Sequence, residues 1–413
     1  MKQLRVAIIS FDPYPYEVRA QRLAEAAADA GAEVDAICLS LGGGAQLPDE
    51  HNGVRIFPLP MARTVGAPLP LTIIEWVRFL ALAAVKVTAM HRSRHYDIIH
   101  VHNMPDFLVF AALIPKLQGA RVILDVQDVS PELMAAKASK RLRRPLYTLA
   151  ALQERASTAF ADAVVTVGWP FEQRLLARGV PQDKLTSFIN SADPKVFPAS
   201  LQGPIPFDTH GKRGPFRFMF YGTISRRLGI DTAIRALALA RQEAPDLELD
   251  IMGTGDDIAT FQALAAELGV QEVVRFRDAV PPGPALADFV VSHDAGIVSY
   301  HADGFADLLL PTKAYEMAWL RRPMIVSNTP AIRSMFRPES VMLCDSESPE
   351  EFARAMTRLY HSAPLRAAMV ANAARDYERF RWEHERERFN SLLHTLADRS
   401  SSVTEPELNR QAN

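Results

Sequence analysis

The sequence predicts an α/β protein built as two doubly wound, parallel-sheet domains, and three observations predict it. Short Val- and Ile-rich runs alternate with amphipathic helical stretches. The alternation breaks once, between 191 and 215, where Pro194, Pro198, Pro204, Pro206 and Pro215 punctuate a polar stretch. It then restarts in the same form. Strands alternating with helices call for parallel sheets joined by right-handed crossovers. At roughly 100 to 200 residues per domain, 413 residues allow two or three domains.

In the first half the strand candidates are Val6–Ser10, Val34–Leu39, Val54–Leu59, Ile98–His102, Val122–Val126 and Val164–Val167. A helix is predicted over Glu17–Ala30, because Ala20, Leu23, Ala24, Ala27 and Ala30 recur at helical spacing and Gly31 is a good left-handed cap. In the second half the strands are Phe216–Tyr221, Leu247–Met252, Val273–Phe276, Ala295–Val298 and Met324–Ser327. After Pro349 the chain reads as mainly helical. The expected organisation is therefore a first domain over 1–195, a linker over 196–215, a second domain over 216–380, a helix over 381–399 and a disordered polar tail over 400–413.

Composition excludes several classes. Lysine plus arginine number 46 against 48 aspartates plus glutamates, so the net charge of −2 gives no reason to expect nucleic acid. Two distant cysteines, Cys38 and Cys344, support neither a disulfide framework nor a cysteine metal site, which suits a reducing cytoplasm. Apolar stretches fall short of the ~18 residues needed to cross a bilayer, and the amino terminus reads as a buried strand rather than a secretion signal.

Ligands of open parallel sheets sit beyond the carboxyl ends of the strands, so the loops there carry the chemistry. Leu310-Pro311-Thr312-Lys313-Ala314-Tyr315-Glu316 would start a helix whose first-turn amides, with Lys313, attract an anionic diphosphate. Glu316 lies one turn further, within reach of sugar hydroxyls. The plainer meaning is a surface Lys–Glu pair worth about 0.2 to 0.5 kcal/mol. Phe220-Tyr221-Gly222-Thr223-Ile224-Ser225-Arg226-Arg227-Leu228-Gly229 is a strand ending in a glycine turn with two arginines, where planar guanidinium forks suit phosphate and Gly222 permits close backbone approach.

These two segments, with Gly253-Thr254-Gly255-Asp256 and the Arg322–Ser327 strand, resemble the donor domain of family 4 glycosyltransferases. Ile99–Phe107 and Asp125-Val126-Gln127-Asp128-Val129-Ser130-Pro131-Glu132 resemble the same family's acceptor side. The resemblance implies a GT-B fold, two Rossmann-like domains facing a central cleft, and transfer of a sugar from a nucleotide-sugar with retention and without an obligatory metal or other cofactor. It also implies that Arg227 and Lys313, helped by Thr223 and the amides near Pro311 and Thr312, neutralise the donor diphosphate. Glu316 would hold the ribose, and Gly253 and Gly255 would let the backbone run close to the nucleotide.

The chain departs from that pattern at several positions. Eight residues before Glu316, where the family has a glutamate that engages the transferred sugar, stands Leu308, with Asp303 and Asp307 nearby. Leu228 replaces a lysine, leaving Arg226, Arg227 and Lys313 to supply positive charge. Gln127 stands where a histidine commonly faces the reacting sugar; it can hydrogen-bond a hydroxyl but cannot exchange a proton near neutral pH. Asp128, Glu132 and His102 are the nearby candidates for that work. A retaining front-face reaction, in which the leaving phosphate takes the acceptor proton, needs a side-chain base less.

His100 and His102 alternate on one strand face with Asp106 close by, but two histidines without a clear third ligand do not make a metal site. Gly42–Gly44 leads into no helix and so does not cradle phosphate. Basic residues cluster at Lys137, Lys140, Arg141, Arg143 and Arg144, near an apolar helix over Leu71–Met90. The first 200 residues hold 22 basic and 19 acidic side chains, the rest 24 and 29. A slightly basic acceptor domain suits an anionic membrane surface carrying a lipid-linked acceptor, although a solvated helix end is the commoner meaning of such a run.

The sequence thus reads as a retaining glycosyltransferase, cytoplasmic or peripheral on the inner face of the plasma membrane, acting on a glycan or lipid-linked acceptor in surface polysaccharide or glycoconjugate synthesis. The alternative is a glycosyltransferase-like binding or scaffold subunit that has lost turnover, motivated by Gln127 and Leu308. A nicotinamide-dependent enzyme is disfavoured, since no GxGxxG follows the first strand.

Overall fold

A computed structural model describes residues 3–43, 45–64, 66–139, 141–202, 214–301 and 306–401. The chain gathers into two compact units, one running up to Ile189 and taking in the last helix from Glu383, the other spanning Asn190–Trp382. Of the expected linker, 203–213 lie outside the described residues, as do 402–413 of the expected tail.

The first unit runs β1 (Arg5–Ile9), α1 (Val18–Asp29), β2 (Glu33–Leu39), β3 (Glu50–His51), β4 (Val54–Leu59), α2 (Leu69–Arg94), β5 (Ile98–His102), α3 (Leu113–Leu117), β6 (Arg121–Val126), α4 (Ser130–Lys137), α5 (Arg143–Phe160), β7 (Ala163–Thr166), α6 (Trp169–Ala177) and β8 (Leu185–Ser187). Its sheet has the order β3-β4-β2-β1-β5-β6-β7-β8 and is parallel throughout except for the short β3–β4 pair. The strands are buried on both faces, which is why they read as near-continuous apolar runs. Glu17 caps α1 through bonds from the Arg19 and Ala20 amides, and Gly31 adopts φ +91° just beyond the helix end. Under α2, Phe79, Ala83, Val87 and Met90 join Ile9, Leu39, Val101 and Leu124 in one core.

The second unit runs β9 (Phe216–Tyr221), α7 (Ile230–Ala240), β10 (Leu247–Met252), α8 (Ile258–Glu267), β11 (Val274–Arg277), α9 (Pro284–Val291), β12 (Ala295–Val298), α10 (Thr312–Trp319), β13 (Met324–Ser327), α11 (Pro330–Met335), β14 (Met342–Cys344), α12 (Pro349–His361) and α13 (Ala363–Tyr377). Its six strands are all parallel, in the order β11-β10-β9-β12-β13-β14. The order reverses direction beside β9, so the loops after β9 and β12 diverge and leave a crevice at their carboxyl ends.

The last helix, α14 (Trp382–Ser401), packs on the first unit: the Ile189 amide donates to Glu385 Oε2 at 2.9 Å, and the Phe389 ring meets Phe188 at 5.7 Å and His100 at 5.5 Å. Two wound parallel sheets give the GT-B fold. Three short strands, β3, β8 and β14, escape the sequence pattern because two or three residues are too few to set up an alternation.

Candidate active site

On the second unit the site is built around Lys313. Pro311 is the N-cap of α10 rather than its first residue, and no side chain caps the first turn, so the backbone donors of Thr312 and Lys313 point out of the helix end. The Lys313 side chain is buried, with Nζ 4.0 Å from the centre of the Phe220 ring and 5.4 Å from that of Tyr300. A Cβ on Gly222, whose φ is +112°, would come within 3.4 Å of the same Nζ, so the ammonium lies against the exposed glycine turn after β9. Burial pushes the lysine down to about 7, opposed in part by the nearby Glu316 carboxylate. A cation held in this way is short of negative charge, and a diphosphate would supply it.

Glu316 is fixed by Tyr221, whose hydroxyl donates to Oε2 at 2.7 Å. Arg227 lies close enough to Tyr300 for its charge to favour the tyrosinate, so Arg227 and Lys313 flank one aromatic side chain. Arg226 turns outward toward Asp257, its backbone amide bonded to the carboxylate at 3.0 Å. Thr223 is exposed beside Gly222. The loops after β9 and β12 are stitched together by the His301 amide on the Arg227 carbonyl at 3.1 Å and by Ser299 Oγ on Gly229 O at 2.7 Å.

Gly253 and Gly255 are required by packing between two loops. A Cβ at Gly253 would strike Gly222 O at 1.8 Å, and one at Gly255 would strike Ile224 O at 1.8 Å. Their missing side chains let the loop after β10 pack on the loop after β9, beneath the Gly222 turn. Leu308 is buried, as an apolar residue should be, and offers no hydrogen bond; Asp303 lies outside the described residues.

On the first unit, the loop Gln127–Asp128 after β6 is held by Asn103. Its Oδ1 accepts from the Gln127 amide at 2.8 Å, and its Nδ2 donates to Asp128 O and Asp106 Oδ1, both at 2.7 Å. The Gln127 amide nitrogen donates to His102 Nδ1 at 3.0 Å, which places the ring proton on Nε2. His102 is buried, and burial, with His100 beside it, holds it well below the usual histidine range. Through this hydrogen bond His102 positions the Gln127 side chain.

Glu132 also departs from its expected place. Arg178 Nη1 reaches its Oε1 at 2.6 Å while the same guanidinium binds Glu154, so the carboxylate belongs to a partly buried ion-pair network on α4, α5 and the end of α6. Burial pushes Glu154 up to about 7 against the pull of Arg178.

The strand pattern also concealed a third group beside the two histidines. His100, His102 and Asp125 bring one ligand atom each within 4.8 Å of one another. Yet Arg19 Nε already bonds Asp125 at 2.9 and 3.0 Å, and Arg19 Nη1 donates to Phe188 O at 2.7 Å. Although burial alone would raise it, Arg19 and both histidines keep the Asp125 carboxyl far below its usual range. The carboxylate's charge is thereby neutralised, and a divalent ion would have to sit against a guanidinium. Neither Arg19 nor Asn103 had a signal in the sequence beyond proximity to a motif, since their partners lie 106 and 24 positions away.

A buried cation at a helix start, a glycine turn and a fixed carboxylate on one wound sheet, in a chain that carries a second wound sheet, point to a glycosyltransferase of the GT-B class. Comparison with known proteins gives the family. The sequence pattern of the glycosyl transferase 4-like domain matches residues 16–190, and that of glycosyl transferases group 1 matches 205–376. The chain belongs to the family 4-type GT-B glycosyltransferases, which draw on a nucleotide-sugar donor. It is 25% identical over 344 residues to the D-inositol 3-phosphate glycosyltransferase of Acidothermus cellulolyticus, covering 78% of this chain and 72% of that one. It is 22% identical to the protein of the same name from Paenarthrobacter aurescens, covering 89% of each. Among solved structures it resembles sucrose-phosphate synthase from Thermosynechococcus elongatus, with a TM-score of 0.75 at 20% identity over 96% of this chain and all of that one. It also resembles Anabaena HepE in complex with UDP-glucose, with a TM-score of 0.67 at 14% identity over 97% and 100% of the two chains.

Proposed function

We propose that this glycosyltransferase works with retention and without an obligatory metal, passing a sugar to a glycan or lipid-linked acceptor in the assembly of a surface polysaccharide or glycoconjugate at the inner face of the membrane. The observation that carries the mechanism is the seat of Lys313, a cation in a desolvated aromatic niche at an uncapped helix start. As the bond from the anomeric carbon to the β-phosphate oxygen breaks, negative charge gathers on the departing diphosphate. In this reading Lys313, Arg227 and the first amides of α10 meet that charge, and preorganised donors in a dry site are worth more than the same groups in water. The acceptor oxygen forms its bond on the same face, and its proton passes to the departing phosphate oxygen. That route suits a site in which Gln127 cannot titrate and His102 is kept neutral. Glu316, held by Tyr221, is the ribose acceptor group.

The test is acceptor-dependent release of nucleoside diphosphate from a panel of nucleotide-sugars. UDP-glucose, the ligand of the HepE complex, comes first, and D-inositol 3-phosphate is one of the acceptors. Nuclear magnetic resonance of the product then reads the anomeric configuration. Inversion, or turnover abolished by a chelator, sinks the reading. Leu308 and Gln127 favour the second reading, a subunit that binds the nucleotide without turnover; nucleotide binding with no release on adding any acceptor is its signature.

A further inference from the structure

Apart from Tyr16, Val18, Trp169 and Leu239, every large hydrophobic side chain exposed among the described residues lies on one helical layer of the first unit. That layer is continuous. Helix α2 packs against α3 and the short turn Asp106–Ala112, and the same turn packs against α5. All three helices belong to crossovers that advance across the sheet in one direction, and right-handed crossovers of that kind cover a single face. Helix α1, whose crossover runs the other way, and α14, which bonds to it through Asn390 on Ala26 O, lie on the opposite face.

The outward side of α2 carries Ile74, Val77, Ala81 and Val85 at successive turns, with Val85 72% exposed. Its inward side is apolar as well, so the helix lacks the polar outer face a surface helix needs in water. Its single acidic residue, Glu75, is turned back to accept from the Thr64 amide. Arg78 and Arg92 are exposed on the same helix. On α5 the exposed Leu149 and Leu152 follow Arg141, Arg143 and Arg144, all three exposed, and no acidic residue occurs between 136 and 153.

We propose that the α2–α3–α5 layer docks on an anionic lipid bilayer, α2 lying in the plane of the headgroups with its apolar stripe toward the acyl chains. Apolar side chains interleaved with arginines, and almost no carboxylates, are the chemistry of an interfacial helix. Among the described residues no helix is long and apolar enough to cross the membrane, so α2, roughly 39 Å long at ~1.5 Å per residue, would lie on it. A second copy of the chain fits the surface poorly, because a two-fold contact would bring the same arginine-rich patch against itself. The proposal gives the membrane-bound reading above its surface, yet docking is measured without any turnover.

The full chain is floated with vesicles of phosphatidylcholine, with and without phosphatidylglycerol. Binding is expected only when the anionic lipid is present. Val77→Asp with Val85→Asp should abolish it, and Arg141→Gln, Arg143→Gln and Arg144→Gln together should lower the partition constant about a hundredfold, at roughly fivefold per cation. Because these side chains are exposed, circular dichroism and the thermal shift produced by UDP should stay at wild-type values. Equal binding to neutral vesicles, no binding at all, or a dimer in solution that the aspartates dissociate would each overturn the proposal. Loss of vesicle binding with intact sugar transfer to a soluble acceptor would separate docking from catalysis.

Discussion

The hydroxyl of Tyr221 donates to Glu316 Oε2 at 2.7 Å, joining the end of β9 to the first turns of α10 and fixing the direction of that carboxylate. Tyr221→Phe removes a hydrogen bond to a charged group, an interaction worth about 1.5 to 3 kcal/mol. The expected result is a rise of about tenfold to a hundredfold in the donor KM with a smaller change in kcat, read from initial rates. An unchanged KM would show that Glu316 does not hold the donor.

Lys313 is costly to bury. Holding it down to about 7 rather than 10.5 means that the folded chain binds fewer protons than the unfolded one across that interval. Its contribution to stability therefore rises as pH climbs from 7 toward 10.5 and is least favourable below 7. Lys313→Met should raise the melting temperature of the ligand-free protein at pH 6 to 7 while erasing the thermal shift caused by UDP. A melting temperature that falls with the substitution would contradict the desolvated niche.

Diphosphate binding should also take up a proton. Above pH 7 the free lysine is neutral, whereas the bound anion favours the ammonium, so affinity should fall as pH rises, approaching about tenfold per pH unit. Calorimetric titration of UDP between pH 7 and 9, in buffers of different ionisation heat, measures the uptake directly; Lys313→Arg should flatten the slope.

The Arg19–Asp125 pair is fully enclosed, and breaking a buried pair typically costs about 3 to 5 kcal/mol because one charge is left behind. Arg19→Met should lower the denaturant midpoint accordingly. Since Asp125 is depressed below its usual 3.8, the stability it confers is present above that value and lost as pH falls beneath it. The wild type should therefore show an acid transition there that Asp125→Asn weakens.

Glu132→Gln separates structure from chemistry. Its carboxylate is spoken for by Arg178. The substitution should reduce stability by about 1 to 3 kcal/mol and leave the shape of the pH–rate profile as it was. A lost ionisation in that profile would restore Glu132 to the chemistry.

The alternation of Val- and Ile-rich runs with helices marks most of the longer strands and the two wound domains because each buried strand and amphipathic helix carries its own periodicity; the GT-B architecture came from the family resemblance. Gly222, Arg227, Lys313 and Glu316 drew notice in the sequence because they sit within short segments at strand ends, and the fold sets Lys313 against the Gly222 turn. What escaped is what depends on the fold: Tyr221 reaching Glu316 across 95 positions, Tyr300 and Phe220 walling Lys313, Arg19 satisfying Asp125, and Arg178 claiming Glu132. Each is a contact between elements distant in sequence, for which periodicity holds no information. Asn103 is a partial exception, for it follows His102 directly, but its hold on Gln127 emerges only once β5 and β6 lie side by side.

Packing of α14 against β5 has a consequence for how the chain is made. The His100 ring is covered by Phe389, and the Ile189 amide waits for Glu385. Synthesis proceeds from the amino end, so the first unit emerges from the ribosome with that patch bare and keeps it so until Phe389 has been joined, while the second unit is complete earlier. The portion translated first is the last to be finished, and a late stop codon would harm the opening half of the protein rather than the half in which it falls.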